Sequence, residues 1–111
     1  MNSPLHLYKA EFFKALGHPL RLAILDSLRD GPLSVTKLQE MVQVDQSILS
    51  QHLAKLRSFK FVTARREKTT IFYHVHDTDV YIFLDLAKNI YGRQLQLSQD
   101  ILNQLNTTEH I

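Results

Sequence analysis

The stretch HVHDTD, residues 74 to 79, sets two imidazoles and two carboxylates within six positions, side chains of the kind that hold divalent transition metals. On a β-strand His74 and His76 point to one face two residues apart, a workable ligand pair to which Asp77 could add an oxygen. A closed site needs further ligands, and none can be a thiolate, because the chain has no cysteine. That absence also removes disulfides, thiol redox switches and cysteine nucleophiles. The same residues have a plainer use. Asp77 can cap a following helix, Asp79 can add negative charge at that helix's positive end, and the histidines can simply close a strand.

A second group of residues suits a polyanion. The net charge of +2 hides a segregation: residues 1–32 carry four bases and three acids, 33–68 seven and three, and 69–111 two and five. Lys55, Arg57, Lys60, Arg65, Arg66 and Lys68, opposed by Glu67 alone, form the densest block, the pattern of a phosphate-backbone footprint or of a solvated basic face. Within QSILSQHLAKLRSF, from residue 46, Leu49, Leu53 and Leu56 share one side of a helical wheel, and Ser47, Ser50, Gln51, Ala54 and Ser58 form the opposite stripe. Small hydroxyl side chains with one glutamine and flanking cations fit a major groove. Their bulk is low, glutamine pairs bidentately with adenine, and serine contacts bases or phosphates. An ordinary surface helix more often carries long Glu and Lys there. His52 falls about 140° from Ser47, beside the leucines, and His18 precedes Pro19 at a helix start, so both read as structural.

The elements that must position these groups follow from hydrophobic period. Apolar residues at 7, 8, 12, 13 and 16 predict a first helix ended by Gly17. Pro19 then opens a second, apolar almost all round and so central, closed by Asp30, Gly31 and Pro32. Ser34 can cap a short third helix carrying Val35, Leu38, Met41 and Val42, and Asp45 or Gln46 opens a fourth. Two short helices joined by a brief turn make a helix-turn-helix. FVTARR and TIFYHV around EKT predict a β-hairpin with a longer, mobile tip, since the tight Asn-Gly signal is missing. Helical period returns from Val80 along Phe83, Leu84, Ala87, Ile90, Tyr91, Leu95, Ile101, Leu102 and Leu105. Continuous from 78 to 106, that helix would be about 43 Å long. It exposes more apolar surface than a domain this size can bury, so a second copy is the economical partner and a break near Gly92 or Ser98 the alternative.

Composition bounds the rest. At 111 residues, 44% apolar and 22% charged, the chain fits one globular domain, without disorder or a fibrous repeat. No run approaches a bilayer span and the N-terminus lacks a signal-peptide pattern, so a cytoplasmic protein is expected. There is no nucleophile elbow, phosphate loop or paired-carboxylate motif, and with three glycines little room for an anion cradle, so an enzyme is not expected.

ALGHPLRLAIL at 15–25, QSILSQHLAKLR at 46–57 and a hairpin ending IFYHV resemble, in order and spacing, the ArsR/SmtB winged-helix repressors over roughly residues 7–95. The resemblance implies a mainly α fold with a small β-hairpin, of α+β type: a winged helix-turn-helix of about five helices and a two-stranded wing. It implies a single domain over 1–111, with a DNA-binding core at about 18–76 and a homodimer joined through helices at about 5–17 and 78–106. The partner would be a double-stranded, pseudo-palindromic operator with half-sites about 34 Å apart. By the resemblance Gln46, Ser47, Ser50 and Gln51 face bases, Thr36, Lys37 and Lys55 phosphates, and Arg65, Arg66 and Lys68 the flanking backbone or minor groove, with Arg57 beside the reading stripe. Where that family usually ends the recognition helix with glycine, this chain has Lys60. A left-handed cap at lysine costs about 1 kcal/mol, so a different helix end and a tilted wing are expected.

The metal-sensing members that the chain resembles bind zinc-like ions on the last helix. Asp77 and Asp79 would take the first two ligand positions, but Ile90 cannot ligate and Arg93 would oppose a cation. The expectation is a dimeric DNA-binding repressor with no cofactor and no inherited metal or thiol sensor, its effector, if any, unidentified. A metal-responsive repressor using His74, His76 and Asp77, or a helical protein-interaction module, are the alternatives.

Overall fold

The computed structural model describes residues 3–109, with side chains described through 106; the ends of the expected 1–111 domain, 1–2 and 110–111, lie outside. The chain divides after Asp77 into two compact units. The first contains α1 (Pro4–Leu16), α2 (Pro19–Ser27), β1 (Leu33–Ser34), α3 (Val35–Val42), α4 (Gln46–Ser58), β2 (Val62–Glu67) and β3 (Thr70–Val75); the second is α5 (Asp79–Glu109). Five helices and a β-hairpin are the expected winged helix-turn-helix.

Local chemistry sets the helix boundaries. α1 starts a turn earlier than its apolar spacing implied, because Ser3 Oγ accepts the His6 N–H at 3.1 Å and Pro4 occupies a position where no N–H is needed. α2 also opens on proline, and its cap is an imidazole: His18 Nδ1 accepts the Leu20 N–H at 3.1 Å. Ser34 caps α3 as expected, accepting the Lys37 N–H at 3.1 Å. α3 then stops at Gln43, which adopts a left-handed conformation (φ 55°) and turns the chain into α4.

The core of the first unit is Ala15 and Leu16 from α1, Ile24, Leu25 and Leu28 from α2 and its end, Leu38 from α3, Leu49, Leu53 and Leu56 from α4, then Phe61 and Val62. The three leucines of α4 are fully or almost fully buried, which seats that helix by one face and leaves the other free. Each contributes on the order of 1.5–3 kcal/mol by leaving water. α2 is less enclosed than its all-round apolar sequence implied. It buries the Ile24, Leu25 side, while Leu22 is 41% exposed.

Three expectations are corrected. The wing belongs to a three-stranded antiparallel sheet, ordered β1-β3-β2, in which Leu33 pairs with Tyr73 and Ser34 with Phe72. A two-residue strand is too short to show alternation, so the sequence carried no sign of it. The hairpin tip is tight: Glu67 pairs with Thr70, leaving only Lys68 and Thr69, with Lys68 at φ 56°. A lysine holds the positive-φ place that glycine or asparagine usually fills in such turns. Lys60 likewise does not change the helix end. It sits at φ 58° after α4, its N–H bonding to Arg57 O at 2.9 Å and the Phe61 N–H to Leu56 O at 2.9 Å. These two bonds make a Schellman closure, with buried Leu56 and Phe61 as its hydrophobic pair.

α5 is a single 31-residue helix, about 46 Å long, running unbroken through Gly92 and Ser98. Ser98 Oγ returns a bond to Gln94 O at 3.1 Å, and Gln96–Asp100 (3.0 Å) and Gln99–Asn103 (3.1 Å) are side-chain bonds one turn apart. Leu95, Leu97, Ile101, Leu102 and Leu105 are exposed along its second half. No described helix is long and apolar enough to cross a membrane.

Candidate nucleic-acid interface

With its leucine face buried, α4 presents Gln46, Ser47, Ser50, Gln51, Ala54 and Ser58 to solvent, the stripe that its helical wheel defined. Asp45 stands at the N-cap without a side-chain capping bond to the first turn of α4. Lys55 and Arg57 lie in the last turn, where cations offset the negative end of the helix. Lys55 is half-buried, its Nζ 5.7 Å from the centre of the Phe59 ring. Arg57 is eleven residues from Gln46, about 16 Å along the axis, and therefore distant from the start of the helix.

Thr36 and Lys37 are exposed on α3; the Lys37 ammonium is 3.6 Å from Glu40. A cleft of about 250 Å³ gathers Thr36 and Gln39 of α3, Gln46 at the start of α4, and Thr69, Thr70 and Ile71 of the wing. A second, of about 490 Å³, is lined by Thr36, Gln39, Gln43 and Asp45 at the helix-turn-helix corner. Gln39 lines both, and the sequence reading missed it. Its signal was its place three residues after Thr36, on the same helical face.

The wing separates residues that the sequence had grouped. Successive strand residues face opposite sides, so Arg65 and Arg66 diverge. Arg65 pairs across the hairpin with Phe72, its guanidinium 5.8 Å from that ring and its Nε 3.2 Å from Glu67. Arg66 pairs with Ile71, which lines the 250 Å³ cleft, and Lys68 sits at the turn. Thr36, Gln46 and Ile71 thus border one cleft, and Arg66 shares Ile71's side of the sheet. Arg65 is on the reverse side.

Behind α4 a basic cluster locks the helix to its neighbours. The His18 and His52 rings lie 4.3 Å apart, tilted 42°. Arg21 Nη1 donates to His52 Nδ1 at 3.3 Å and Nη2 to the Lys14 carbonyl at 3.0 Å, while its buried Nε has no partner. Burial, then the nearby His18 and Arg21, hold the His52 imidazole below the usual histidine range. The structural reading of His18 and His52 matches this geometry. Arg21 was overlooked, although a lone arginine inside LRLAIL was a sign of a fixed partner.

The wing's second strand carries His74, whose Nε2 lies 2.7 Å from Thr63 Oγ1 across the hairpin. His76 is exposed beyond the strand, its backbone N–H donating to Phe61 O at 3.1 Å. Among the described residues no group of three or more His, Asp or Glu side chains comes together as a metal site.

A family profile described as "Bacterial regulatory protein, arsR family" matches residues 18–63, from the α2 cap to the first wing strand. The chain is 36% identical over 105 residues to the uncharacterized HTH-type transcriptional regulator Rv0081 of Mycobacterium tuberculosis, spanning 94% of this chain and 92% of that one. The crystal structure of Rv0081 matches at a TM-score of 0.81 with 38% identity, covering 86% of this chain and 96% of that chain. Nodulation protein NolR of Rhizobium meliloti is 42% identical over 83 residues, 75% of this chain and 68% of NolR. A solution structure of the homodimeric winged helix-turn-helix DNA-binding domain Mb0332 from Mycobacterium bovis matches at a TM-score of 0.74 with 29% identity, covering 86% and 92%.

Proposed function

We propose, since this chain belongs to the arsR family of bacterial regulatory proteins, that it is a dimeric repressor that reads a pseudo-palindromic operator with α4 and steadies itself with the wing. It is a DNA-binding transcriptional regulator and not an enzyme. The observation that carries the finer reading is the exposed stripe Gln46, Ser47, Ser50 and Gln51, seated by three buried leucines and opening beside the wing-tip cleft. Low bulk lets the helix enter a major groove, and Gln51 supplies the side chain able to pair bidentately with a base. Thr36, Lys37 and Lys55 would hold phosphates, with Arg66 and Lys68 on the flanking backbone; Arg57 supports from the far end of α4. Two-fold pairing through α1 and α5 would set the two α4 helices about one DNA turn apart, and a bound dimer would block transcription from the occupied site in the cytoplasm.

The helix positions that the resemblance assigns to metal-sensing members do not fit a cation here. Of Asp77, Asp79, Ile90 and Arg93, isoleucine has no donor and arginine is itself positive, while His74 is engaged by Thr63. We therefore expect operator affinity to be indifferent to zinc, cobalt and nickel. A loss of affinity on one equivalent of zinc, cured by His74→Ala, would establish the metal-responsive alternative.

The deciding experiment is selection of bound duplexes from a random library, followed by shift assays across salt. Affinity should fall steeply with salt, and Gln51→Ala should relax preference at one base step, costing about 1–3 kcal/mol on the best site and little on random DNA. Enrichment of no sequence, or equal losses on both DNAs, would refute base reading by α4.

A further inference from the structure

The stack of His18, Arg21 and His52 is a junction of three nitrogen bases between the reading helix and the body that carries it. His52 lies on the buried side of α4; His18 and Arg21 come from the start of α2, and Arg21 is in turn fixed to the α1 carbonyl of Lys14. Arginine has no acceptor, so its bond to His52 Nδ1 requires that nitrogen to be unprotonated, with the ring proton on Nε2. His18 is held to the same tautomer, since its Nδ1 accepts the Leu20 N–H. From α2, then, His52 faces only basic groups. From α1 it is met through the Lys14 carbonyl, the Lys14 ammonium being 3.5 Å from Glu11. On α4 itself the charged side chains one turn on are Lys55 and Arg57. Among the described residues no carboxylate pairs with His18, Arg21 or His52.

We propose that this junction is a proton-operated release for the recognition helix: a proton on His52 removes the acceptor for Arg21, sets like charges against one another between α2 and α4, and loosens α4 from its DNA-reading position. The inference rests on α4 as the reading helix. Burial and the two basic neighbours hold the His52 imidazole below its ordinary range, so the unfolded chain takes the proton first as pH falls. The stabilisation from neutral His52 is complete above the ordinary histidine value of about 6.5 and is lost as pH drops through it towards the lower folded value. DNA selects the docked arrangement, so affinity follows the fraction of protein that holds it.

The sign of the effect separates this device from bulk charge. The chain has six histidines, and their protonation adds positive charge, which by itself tightens binding to a phosphate backbone in acid. A release at His52 does the opposite. The test uses the full chain and a duplex selected by it from a random library at about pH 7.5. At constant salt, wild-type affinity should fall as pH drops from about 6.5 to about 5.5, because the proton taken up at His52 depletes the docked form. His52→Gln should hold its affinity or gain. His18→Asn keeps a capping side chain but takes away one neighbour that depresses the His52 imidazole, so the fall in acid should be smaller than in the wild type. Wild-type affinity that is level or rises in acid overturns the proposal, as does a His52→Gln variant that falls in parallel. Melting curves across the same range form an independent arm. If selection enriches no duplex, base reading fails, and the melting arm alone decides the proton linkage: a wild-type midpoint that drops with pH while His52→Gln stays level upholds it, and parallel drops refute it.

Discussion

At the scale of single residues, strand alternation decides which cations can serve the interface. A run such as ARREK looks like one positive patch, yet Arg65 and Arg66 point to opposite sides of the wing. Arg65 is occupied twice on its own side, by Glu67 and by the Phe72 ring. Arg66 shares its side with Ile71, on the cleft that reaches Gln46. Arg66→Ala should therefore weaken DNA binding several-fold and lower the salt slope by about one, as the loss of one phosphate contact requires. Arg65→Ala should change both by much less. Equal effects in a salt titration of the two variants would show that the wing meets DNA edge-on. The basic block was legible in the sequence, but the two faces became separable only once the register of Val62–Val75 was known.

At the scale of elements, three places among the described residues hold left-handed backbone without glycine: Gln43 in the helix-turn-helix, Lys60 after α4 and Lys68 at the wing tip. Lys60 is the informative one. The Schellman bonds and the burial of Leu56 with Phe61 over-determine the turn, so the helix end forms despite an unfavourable residue. The strain remains and can be removed. Lys60→Gly should stabilise the protein by about 1 kcal/mol, raising the melting midpoint by roughly 4–8 °C for a chain of this size. A calorimetric midpoint that is unchanged or lower would mean that the lysine side chain contributes as much as its backbone costs. Hydrophobic period located all five described helices, since an apolar stripe repeats along each of their sequences. It failed at the caps and turns, where Ser3 extends α1 and a two-residue tip replaces the longer one, because those outcomes rest on single hydrogen bonds rather than on a repeated pattern.

At the scale of the whole molecule, α5 is the element that a lone chain does not account for. Its second half carries five exposed aliphatic side chains with one charge, Asp100, between residues 94 and 106. Such a face is costly in water and suits a second copy. In a two-fold interface every substitution counts twice, so Ile90→Glu with Leu102→Glu should cost the dimer on the order of 6 kcal/mol. Sedimentation should then show monomers, with operator affinity lost although α4 is untouched. A variant that stays dimeric would remove α5 from the interface. By itself the sequence determined the helices, the hairpin, the polar stripe on α4 and the basic middle of the chain, because period and charge order are local properties of residues a few positions apart. Tertiary structure alone decided that Leu33 and Ser34 join the sheet, that Arg65 and Arg66 part company, that Gln39 borders the clefts, and that Arg21 meets His52 from thirty-one residues away. Those outcomes depend on which distant segments share a hydrogen-bond ladder or a buried face, and no local pattern encodes a partner that far along the chain.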